Sequence, residues 1–598
     1  MAEKIRSREE IAREDTWAME DLYASDAAWL EDLEKLKTLG AKLPEYAGKL
    51  SASAQTLLEY QKLGEEISVL LDSLANYAQR KSDEDTRNAV YQDLTGKLTK
   101  VWVQLGADTA FEVPELLSIS DEQMEKFYEE VPELNLYRRH FDSIRRKRAH
   151  ILSESEEKLL AMAGEMAGTP EEVYSLFADA DLTFRPALDA NGEEHPITQG
   201  SYIAAMESPD RTLRKNAFES LYAGFGAYKN TVAATLAGQV KQLEFFSKAR
   251  HYSSPLEASL DATEVPVSVY HELIEAVHQN MDKMHRYMRL RKKLLGVSEL
   301  HMYDLYTPLV AASEERIPFA EAKKTVAQAL GVMGERYGKI LQEGFNNRWI
   351  DVYENTGKRS GAYSAGARVH PYVLLNYTGT LDSEFTLAHE MGHAIHSYLS
   401  NKTQPIVYSD YVIFVAEVAS TCNEALLMQH LLKTTTDKKQ RAYLINHFLE
   451  QFRTTLYRQT MFAEFELKIA ELSAQGVTLT ADVLCEEYRK LNALYYGEDV
   501  VLDEEIALEW ARIPHFYYNY YVFQYATGYA AAIALSEGIL KDGEPAVERY
   551  LGFLSGGCSK SPIELLKGAG VDMTTAEPVN QALAMFSKLL DEMEALTA

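Results

Sequence analysis

Apolar residues recur every three or four positions over most of the chain, with charged residues between them. Residues 27–39 and 53–76 show this spacing clearly, and it is typical of amphipathic α-helices. Residues 180–200 instead alternate apolar and polar positions before Asn191-Gly192, a pattern that predicts a β-hairpin. Residues 349–377, rich in β-branched and aromatic side chains, predict three short strands. The fold class is therefore predicted to be mainly α, with a small β-sheet.

The length of the chain predicts more than one compact region. At 598 residues it exceeds the size at which a single hydrophobic core stops growing. The predicted hairpin offers a boundary, so we divide the sequence into an N-terminal helical region, 1–200, and a larger region, 201–598.

Charge and composition limit the kinds of partner that the protein can bind. The formal net charge of −29 argues against nucleic acid and against an anionic membrane surface, because both carry negative charge. Residues 516–536 form an uncharged stretch of 21 residues, but its six tyrosines, Asn519 and Gln524 make it too polar for a membrane span. The charge fits a neutral or basic ligand, but the preferred interpretation is that the acidity keeps the protein in solution. No oligomeric state is indicated.

The three cysteines are widely spaced and include no C-x-x-C pair, which argues against a disulfide framework and a thiolate metal site. The N-terminal residues are charged and lack the apolar core of a signal peptide. A cytoplasmic location is therefore expected.

The strongest chemical signal is His389-Glu390-x-x-His393. Two histidines four residues apart project from one face of a helix, so both imidazoles can bind the same metal ion. Glu390 then lies where a carboxylate can take a proton from a water molecule, the role that this motif assigns to it in zinc proteases.

A zinc site needs a third protein ligand. The metzincin spacing would require Gly and His where the chain has His396 and Leu399, so that pattern fails. Glu417 and Glu424 lie seven residues apart on one face of an apolar helical stretch that offers them no Lys or Arg. Glu417 is therefore preferred as the third ligand. The alternative is that it lies on a solvent-exposed face of its helix. His396 is the rival ligand or a structural residue.

Glu424 has two interpretations. It can accept a hydrogen bond from a ligand imidazole, since metal-bound histidines usually donate their other N–H to a carboxylate or carbonyl. A buried ion pair is the alternative.

The residues around this motif resemble oligoendopeptidase F, of the thimet-oligopeptidase-like zinc metallopeptidases. The resemblance rests on 344–364, 370–377, the H-E-x-x-H motif and 414–420, and length and order extend it over nearly the whole chain. It implies two helical lobes that enclose a deep substrate channel, one Zn²⁺ ion and short peptide substrates. It also implies that His389, His393 and Glu417 are the ligands and that Glu390 is the general base.

An aromatic stretch follows further along the chain. His515, Tyr518, Tyr521, Tyr525 and Tyr529 lie three or four residues apart, so a single helix opened by Pro514 would carry them in one stripe. Such a stripe is ordinarily core, yet phenols can also donate to an oxyanion. The family resemblance favours the second role for His515, with Tyr525 preferred, Tyr521 next and Tyr518 in reserve.

Residues 358–364 form either an ordinary turn or an edge strand with a glycine loop. In the second interpretation, which the resemblance suggests, the backbone of Gly361, Ala362 and Tyr363 holds substrate by added-strand hydrogen bonds.

The expected activity is hydrolysis of internal bonds in short peptides. A carboxypeptidase of similar architecture and a catalytically silent peptide-binding protein are the alternatives.

Overall fold

A computed structural model describes residues 5–310 and 316–598 and confirms the mainly α fold class. The α-helices of the described chain are, in order, α1 Asp26–Gly40, α2 Ala54–Glu84, α3 Ala89–Asp108, α4 Glu112–Ser118, α5 Asp121–Glu130, α6 Arg138–Arg145, α7 Glu154–Ala167, α8 Thr169–Leu176, α9 Gln199–Glu207, α10 Arg211–Ala227, α11 Lys229–Ala249, α12 Pro255–Asp261, α13 Val267–His278, α14 Met281–Leu295, α15 Phe319–Ala329, α16 Gly334–Asn346, α17 Leu381–Thr403, α18 Ile413–Thr434, α19 Lys438–Gln451, α20 Arg458–Ala474, α21 Ala481–Tyr496, α22 Phe523–Asp542, α23 Glu544–Leu554, α24 Pro562–Gly568 and α25 Glu577–Thr597.

The strands of the described chain are short. They are β1 Ala187–Leu188, β2 Glu194–His195, β3 Leu300–His301, β4 Ile350–Asp351, β5 Tyr363–Ala365, β6 Tyr372–Leu374 and β7 Val500–Val501. The predicted hairpin is the antiparallel pair β1–β2, with Gly192 at φ 81° in its turn, a conformation that glycine adopts without strain. The three strands predicted within 349–377 are β4, β5 and β6.

Helix starts follow from side chains that accept backbone hydrogen bonds. Ser53 caps α2, Ser120 caps α5 and Thr480 caps α21, each through its hydroxyl oxygen. Such caps satisfy amide groups that have no partner inside the helix, and so they fix where each helix begins.

The chain folds into two compact units built from alternating segments of sequence. The first unit comprises Met1–Ala149, Glu315–His430 and Leu535–Gly570, and the second comprises His150–Glu314, Leu431–Ala534 and Val571–Ala598. The division of the sequence at residue 200 stays a prediction.

In the first unit, helices α1 to α6 and the strands β5 and β6 share one apolar core. Trp17, Trp29 and Phe141 are buried in it, and Tyr372 and Leu374 enter it from β6. The sheet order is β4-β6-β5, with β4 parallel and β5 antiparallel to β6.

The helix that carries the H-E-x-x-H motif, α17, belongs to the first unit. It packs against α15, α16, α23 and the strands β5 and β6. Thr380 caps its N-terminus by accepting from the amide of Ser383 at 3.2 Å. Because this helix is packed on several sides, its side chains hold defined directions.

In the second unit, α10 packs against α9 and against the 3-10 helix Glu504–Arg512, and α20 packs against α11, α13 and α21. Helix α25 packs against α13, α14 and α19. The parallel pair β3–β7 also belongs to this unit. Within the described residues, every helix is too short or too polar to cross a lipid bilayer.

The prediction of one continuous helix from Pro514 through the aromatic stretch is wrong. A 3-10 helix, Pro514–Tyr517, is separated from α22 by an irregular segment in which Asn519 and Tyr520 have φ values of 57° and 59°. These two left-handed residues interrupt the helix, so the aromatic side chains do not form a straight stripe.

Candidate metal centre

Helices α17 and α18 approach closely at Gly392, the glycine inside the H-E-x-x-H motif. A Cβ atom added there would lie 2.6 Å from the carbonyl oxygen of Ala419 and 2.6 Å from the Cα atom of Ser420. No side chain fits in that space, because both neighbouring atoms belong to the backbone of α18. The contact brings the α18 turn that carries Glu417 against the histidines of α17.

At this contact His389, His393 and Glu417 form a group whose candidate ligand atoms all lie within 4.8 Å of one another. Oε2 of Glu417 is 3.3 Å from Nε2 of His389 and 3.4 Å from Nε2 of His393. A tetrahedral zinc ion with bonds of about 2.0–2.1 Å separates its ligand atoms by about 3.3 Å. Two imidazoles and a carboxylate at these distances fit a zinc ion.

Neighbouring side chains hold two of these groups in position. Nδ1 of His389 lies 2.6 Å from Oε1 of Glu424, a contact that directs Nε2 towards Glu417. The buried hydroxyl of Ser420 donates to Oε2 of Glu417 at 3.0 Å. The structure thus brings Glu424 to the position that a histidine-orienting carboxylate would occupy.

Glu390 lies beside this group but bonds to none of its members. Its side chain is 5% exposed, and its Oε2 atom has no hydrogen-bond partner among the described residues. A buried carboxylate oxygen without a partner is costly unless the site supplies one when it is occupied. Burial raises the pKa of Glu390, and His389 and His393 partly offset that effect.

The electrostatics of the group favour a cation. Burial would lower the pKa of His389, but hydrogen bonds to Glu417 and Glu424 outweigh it and raise that pKa to about 10. Burial would raise the pKa of Glu417, but hydrogen bonds to His389 and His393 bring it far below its usual range. Carboxylates that stabilise a proton on an imidazole would stabilise a metal ion at the same place.

His396 lies outside the group formed by His389, His393 and Glu417. Its ring is buried and stacks on Tyr411 at a centroid distance of 3.8 Å. Burial, with a smaller contribution from His393, lowers the pKa of His396 to about 3, so the ring is neutral. This is the geometry of a packed core histidine.

Residues 358–364 lead into the edge strand β5, which has no second neighbouring strand among the described residues. Lys358 is buried and donates to the carbonyls of Tyr353 and Leu375 at 2.7 and 2.6 Å, which anchors the preceding loop. Gly361, at φ 82°, and Ala362 are exposed. Tyr363 is half-buried, and its hydroxyl donates to Asp83 at 2.5 Å.

His515, Tyr521 and Tyr525 lie in the second unit and form a cluster of their own. The ring centroid of His515 is 6.3 Å from that of Tyr521 and 6.0 Å from that of Tyr525, and the two tyrosine rings are 5.4 Å apart. Tyr518 also contacts His515, at 5.5 Å, and is exposed. Burial, aided by Arg458, lowers the pKa of His515 and keeps the imidazole neutral.

A second acidic group, at the β1–β2 hairpin, consists of Asp189, Glu193 and His195. Oδ1 of Asp189 accepts from the amides of Asn191 and Glu193 at 2.9 and 2.8 Å. These bonds close the turn, so the group is accounted for by local structure.

Three residues that the sequence analysis did not single out support the metal group: Gly392, Ser420 and Asn423. Asn423 donates from Nδ2 to the carbonyl of Ala388 at 3.0 Å and accepts from Tyr337 at 2.7 Å, which links α16, α17 and α18. Gly392 and Ser420 were visible as small residues beside the motif and beside Glu417. Small residues at helical spacing on two neighbouring helices are the signal that would have predicted the close contact.

Fold and site together define a class: a mainly helical metallopeptidase whose candidate metal ligands come from two neighbouring helices. The comparisons with known proteins agree. The model of peptidase family M3 matches residues 204–585, and the model named Oligopeptidase F matches residues 115–184.

Curated relatives match over the full chain. Oligopeptidase PepF of Bacillus subtilis (strain 168) is 48% identical over 596 residues, which cover 100% of this chain and 89% of that protein. An oligoendopeptidase F homolog of Lactococcus lactis subsp. lactis (strain IL1403) is 42% identical, with 99% of this chain and 98% of that protein covered.

The crystal structure of oligoendopeptidase-F from Enterococcus faecium matches with a TM-score of 0.74 and 38% identity, covering 96% of this chain and 99% of that one. The chain belongs to peptidase family M3, in its oligoendopeptidase F group.

Proposed function

We propose that the protein is a zinc-dependent oligoendopeptidase that hydrolyses internal bonds of short peptides. The observation that carries the proposal is the ligand triangle of His389, His393 and Glu417, whose contacts of 3.3 and 3.4 Å match the edges of a zinc tetrahedron. Membership of the oligoendopeptidase F group supports peptides as the substrate class.

His389, His393 and Glu417 would hold the ion, and Glu424 would fix the ring of His389. A bound Zn²⁺ ion supplies Lewis-acid polarisation of a peptide carbonyl and makes a water molecule more acidic. Glu390, with its unpartnered Oε2 atom, accepts a proton from water and returns it to the leaving amine. The buried position of Glu390 suits this role, because it keeps competing hydrogen-bond donors away from the carboxylate.

His515 and Tyr525, with Tyr521 as the next candidate, stabilise the oxyanion that develops during amide hydrolysis. The neutral His515 imidazole can donate an N–H, and a phenol can donate its O–H, to that negative charge. The family resemblance supports this assignment, and the clustering of the rings around His515 is consistent with joint action.

Gly361, Ala362 and Tyr363 bind the substrate backbone. The side of β5 that has no partner strand within 5–310 and 316–598 supports this role, since a strand edge can accept an extended peptide through main-chain hydrogen bonds. Such contacts ignore side chains, which suits an enzyme that accepts varied peptides. The cytoplasm is the proposed compartment, in keeping with three cysteines that are not joined by disulfides in the described chain.

An internally quenched peptide, blocked at both ends, tests the proposal. We expect cleavage within the peptide that stops on chelation and returns with Zn²⁺. Glu390→Gln should lower turnover by about 100- to 10,000-fold, because the amide cannot act as a base, while the bound metal per protein stays unchanged.

Two results would contradict the proposal. Full turnover by Glu390→Gln, with the metal measured, would exclude the general-base role. Release of only the C-terminal residue from unblocked peptides, with no cleavage of blocked ones, would indicate a carboxypeptidase.

A further inference from the structure

The segment between Pro514–Tyr517 and α22 has an unusual backbone. Asn519 and Tyr520 are two consecutive non-glycine residues in the left-handed region, at φ 57° and 59°. The other non-glycine residues with positive φ in the described chain, His251, Glu264 and Arg348, are isolated. L-amino acids resist this conformation because Cβ crowds the backbone, so it persists only where surrounding contacts enforce it.

The contacts that enforce it come from two buried polar side chains. Nε2 of Gln239, on α11, donates to the carbonyl of Tyr517 at 3.0 Å and to Oδ1 of Asn519 at 2.9 Å. On α20, Oε1 of Glu466 accepts from the amide of Tyr520 at 3.0 Å. Gln239 is 3% exposed and Glu466 is 6% exposed, so solvent competes little for these bonds.

The contacts of Glu466 among the described residues indicate no role for it apart from the bond to the turn. Its Oε2 atom has no hydrogen-bond partner among the described residues, and its charge acts on the nearby hydroxyls of Tyr270 and Tyr520. Burial raises the pKa of Glu466 to about 8, although the bond from the Tyr520 amide opposes this. A buried carboxyl that is largely neutral at neutral pH acts here as a hydrogen-bond acceptor for one backbone amide.

The turn decides where His515 lies. In a continuous α-helix, His515 and Tyr525 would be ten residues apart and therefore separated by about 15 Å along the axis. Their ring centroids are instead 6.0 Å apart. The left-handed pair folds the chain back, so the cluster of His515, Tyr521 and Tyr525 exists only while the turn is held.

We infer that Glu466 and Gln239 are positioning residues, which hold the left-handed turn at Asn519-Tyr520 and thereby keep His515, Tyr521 and Tyr525 together for peptide hydrolysis. The inference rests on the proposed function, because it assigns the cluster a part in the reaction. Neither residue touches substrate in this proposal. Their effect is transmitted through the backbone of the turn.

The test compares Glu466→Met, Glu466→Gln and the control Glu464→Met. Glu464 lies on the same helix and bonds to His278 and Tyr495 at 2.7 and 2.9 Å, neither of which belongs to the turn. Glu466→Met should lower kcat by about 10- to 100-fold with KM changed less than about threefold, as expected for misplaced groups. Glu466→Gln keeps an acceptor oxygen and should restore kcat to within about threefold of the parent. The control should change thermal stability and leave kcat intact.

A double-variant cycle separates positioning from general destabilisation. If Glu466 acts through the cluster that includes His515, then Glu466→Met combined with His515→Phe should lower kcat by less than the product of the two single losses. Should Glu466→Met fail to fold, Gln239→Met cuts the other support of the turn and gives the same readout.

Multiplicative losses in the double variant would overturn the inference, as would a kcat unchanged in Glu466→Met or not restored by Gln. An unaffected kcat in His515→Phe would also overturn it, even with the Glu390 mechanism intact. Failure of the proposed function itself would be seen in a different variant, as full turnover by Glu390→Gln with the metal bound.

Discussion

The helix pair α17–α18, which carries the candidate metal ligands, and the 514–525 segment place their candidate functional side chains in opposite ways. On α17 and α18 the backbone is regular, and His389, His393 and Glu417 meet because Gly392 lets two helices touch. Around His515 the helix is interrupted, and two strained residues bring the rings together. Regular helices fix directions through their own hydrogen bonds, whereas a strained turn depends on side chains from elsewhere.

This difference predicts different sensitivities. The helix pair should tolerate changes around it, lose its metal when a ligand is removed, and respond more weakly when the close contact is disturbed. The turn should be sensitive to residues, such as Gln239 and Glu466, that lie far from it in sequence.

Loss of a ligand should have the largest effect. Glu417→Ala removes the atom that lies 3.3 and 3.4 Å from the two imidazoles, so we expect peptide hydrolysis at background and a purified protein without stoichiometric zinc. Metal analysis and the quenched-peptide assay measure both. The loss should exceed the roughly 10- to 100-fold cost of removing an outer partner of a ligand. A Glu417→Ala protein that is fully loaded with zinc would contradict the ligand role.

Removal of the N–H donor of His515 should have the second largest effect on peptide hydrolysis. His515→Phe keeps an aromatic ring beside Tyr521 and Tyr525 but has no N–H, so kcat should fall by about 100- to 1,000-fold with the zinc content unchanged. Tyr517→Phe is the control, since it loses only the hydroxyl contact with Thr235 at 2.9 Å. Equal losses in the two variants would mean that the segment, and not the imidazole, was disturbed.

The sequence predicted the helix pair better than the turn for a physical reason. Spacing of three or four residues defines a face only while the backbone remains helical, and this held for His389, His393 and the Glu417–Glu424 pair. The same rule applied to His515 through Tyr529 gave a stripe that does not exist, because Asn519 and Tyr520 leave the helical region. The local sequence does not predict this turn, because the side chains that hold it, Gln239 and Glu466, lie on α11 and α20.

The small sheet was predictable for a related reason. Strand composition and turn residues are local signals, and they located β4, β5 and β6. The order β4-β6-β5, which leaves β5 at an edge, depends on pairing between distant residues and could not be derived from pattern alone. The compact units, built from alternating segments, likewise depend on long-range contacts.

A smaller effect is expected at Glu424. Glu424→Leu removes the carboxylate that lies 2.6 Å from Nδ1 of His389, so the ring loses its fixed orientation. Zinc affinity should fall about 10- to 100-fold, with kcat recovering at saturating zinc. Titration with a competing chelator measures the affinity. An unchanged affinity would favour the alternative view of Glu424 as an ordinary buried ion-pair partner.

The smallest expected change tests the contact between the helices. Gly392→Ala places a methyl group 2.6 Å from the backbone of α18, which must shift, at a cost of about 1–3 kcal/mol in the free energy of unfolding. Gly338→Ala, on α16, is the matched control, because its Cβ would have no neighbour within 4 Å and should be neutral or stabilising. Denaturant titration of both variants gives the difference, and zinc affinity should fall only in Gly392→Ala, since Glu417 moves with α18. Equal stability and equal affinity in the two would mean that the helix pair is not held by close contact at Gly392.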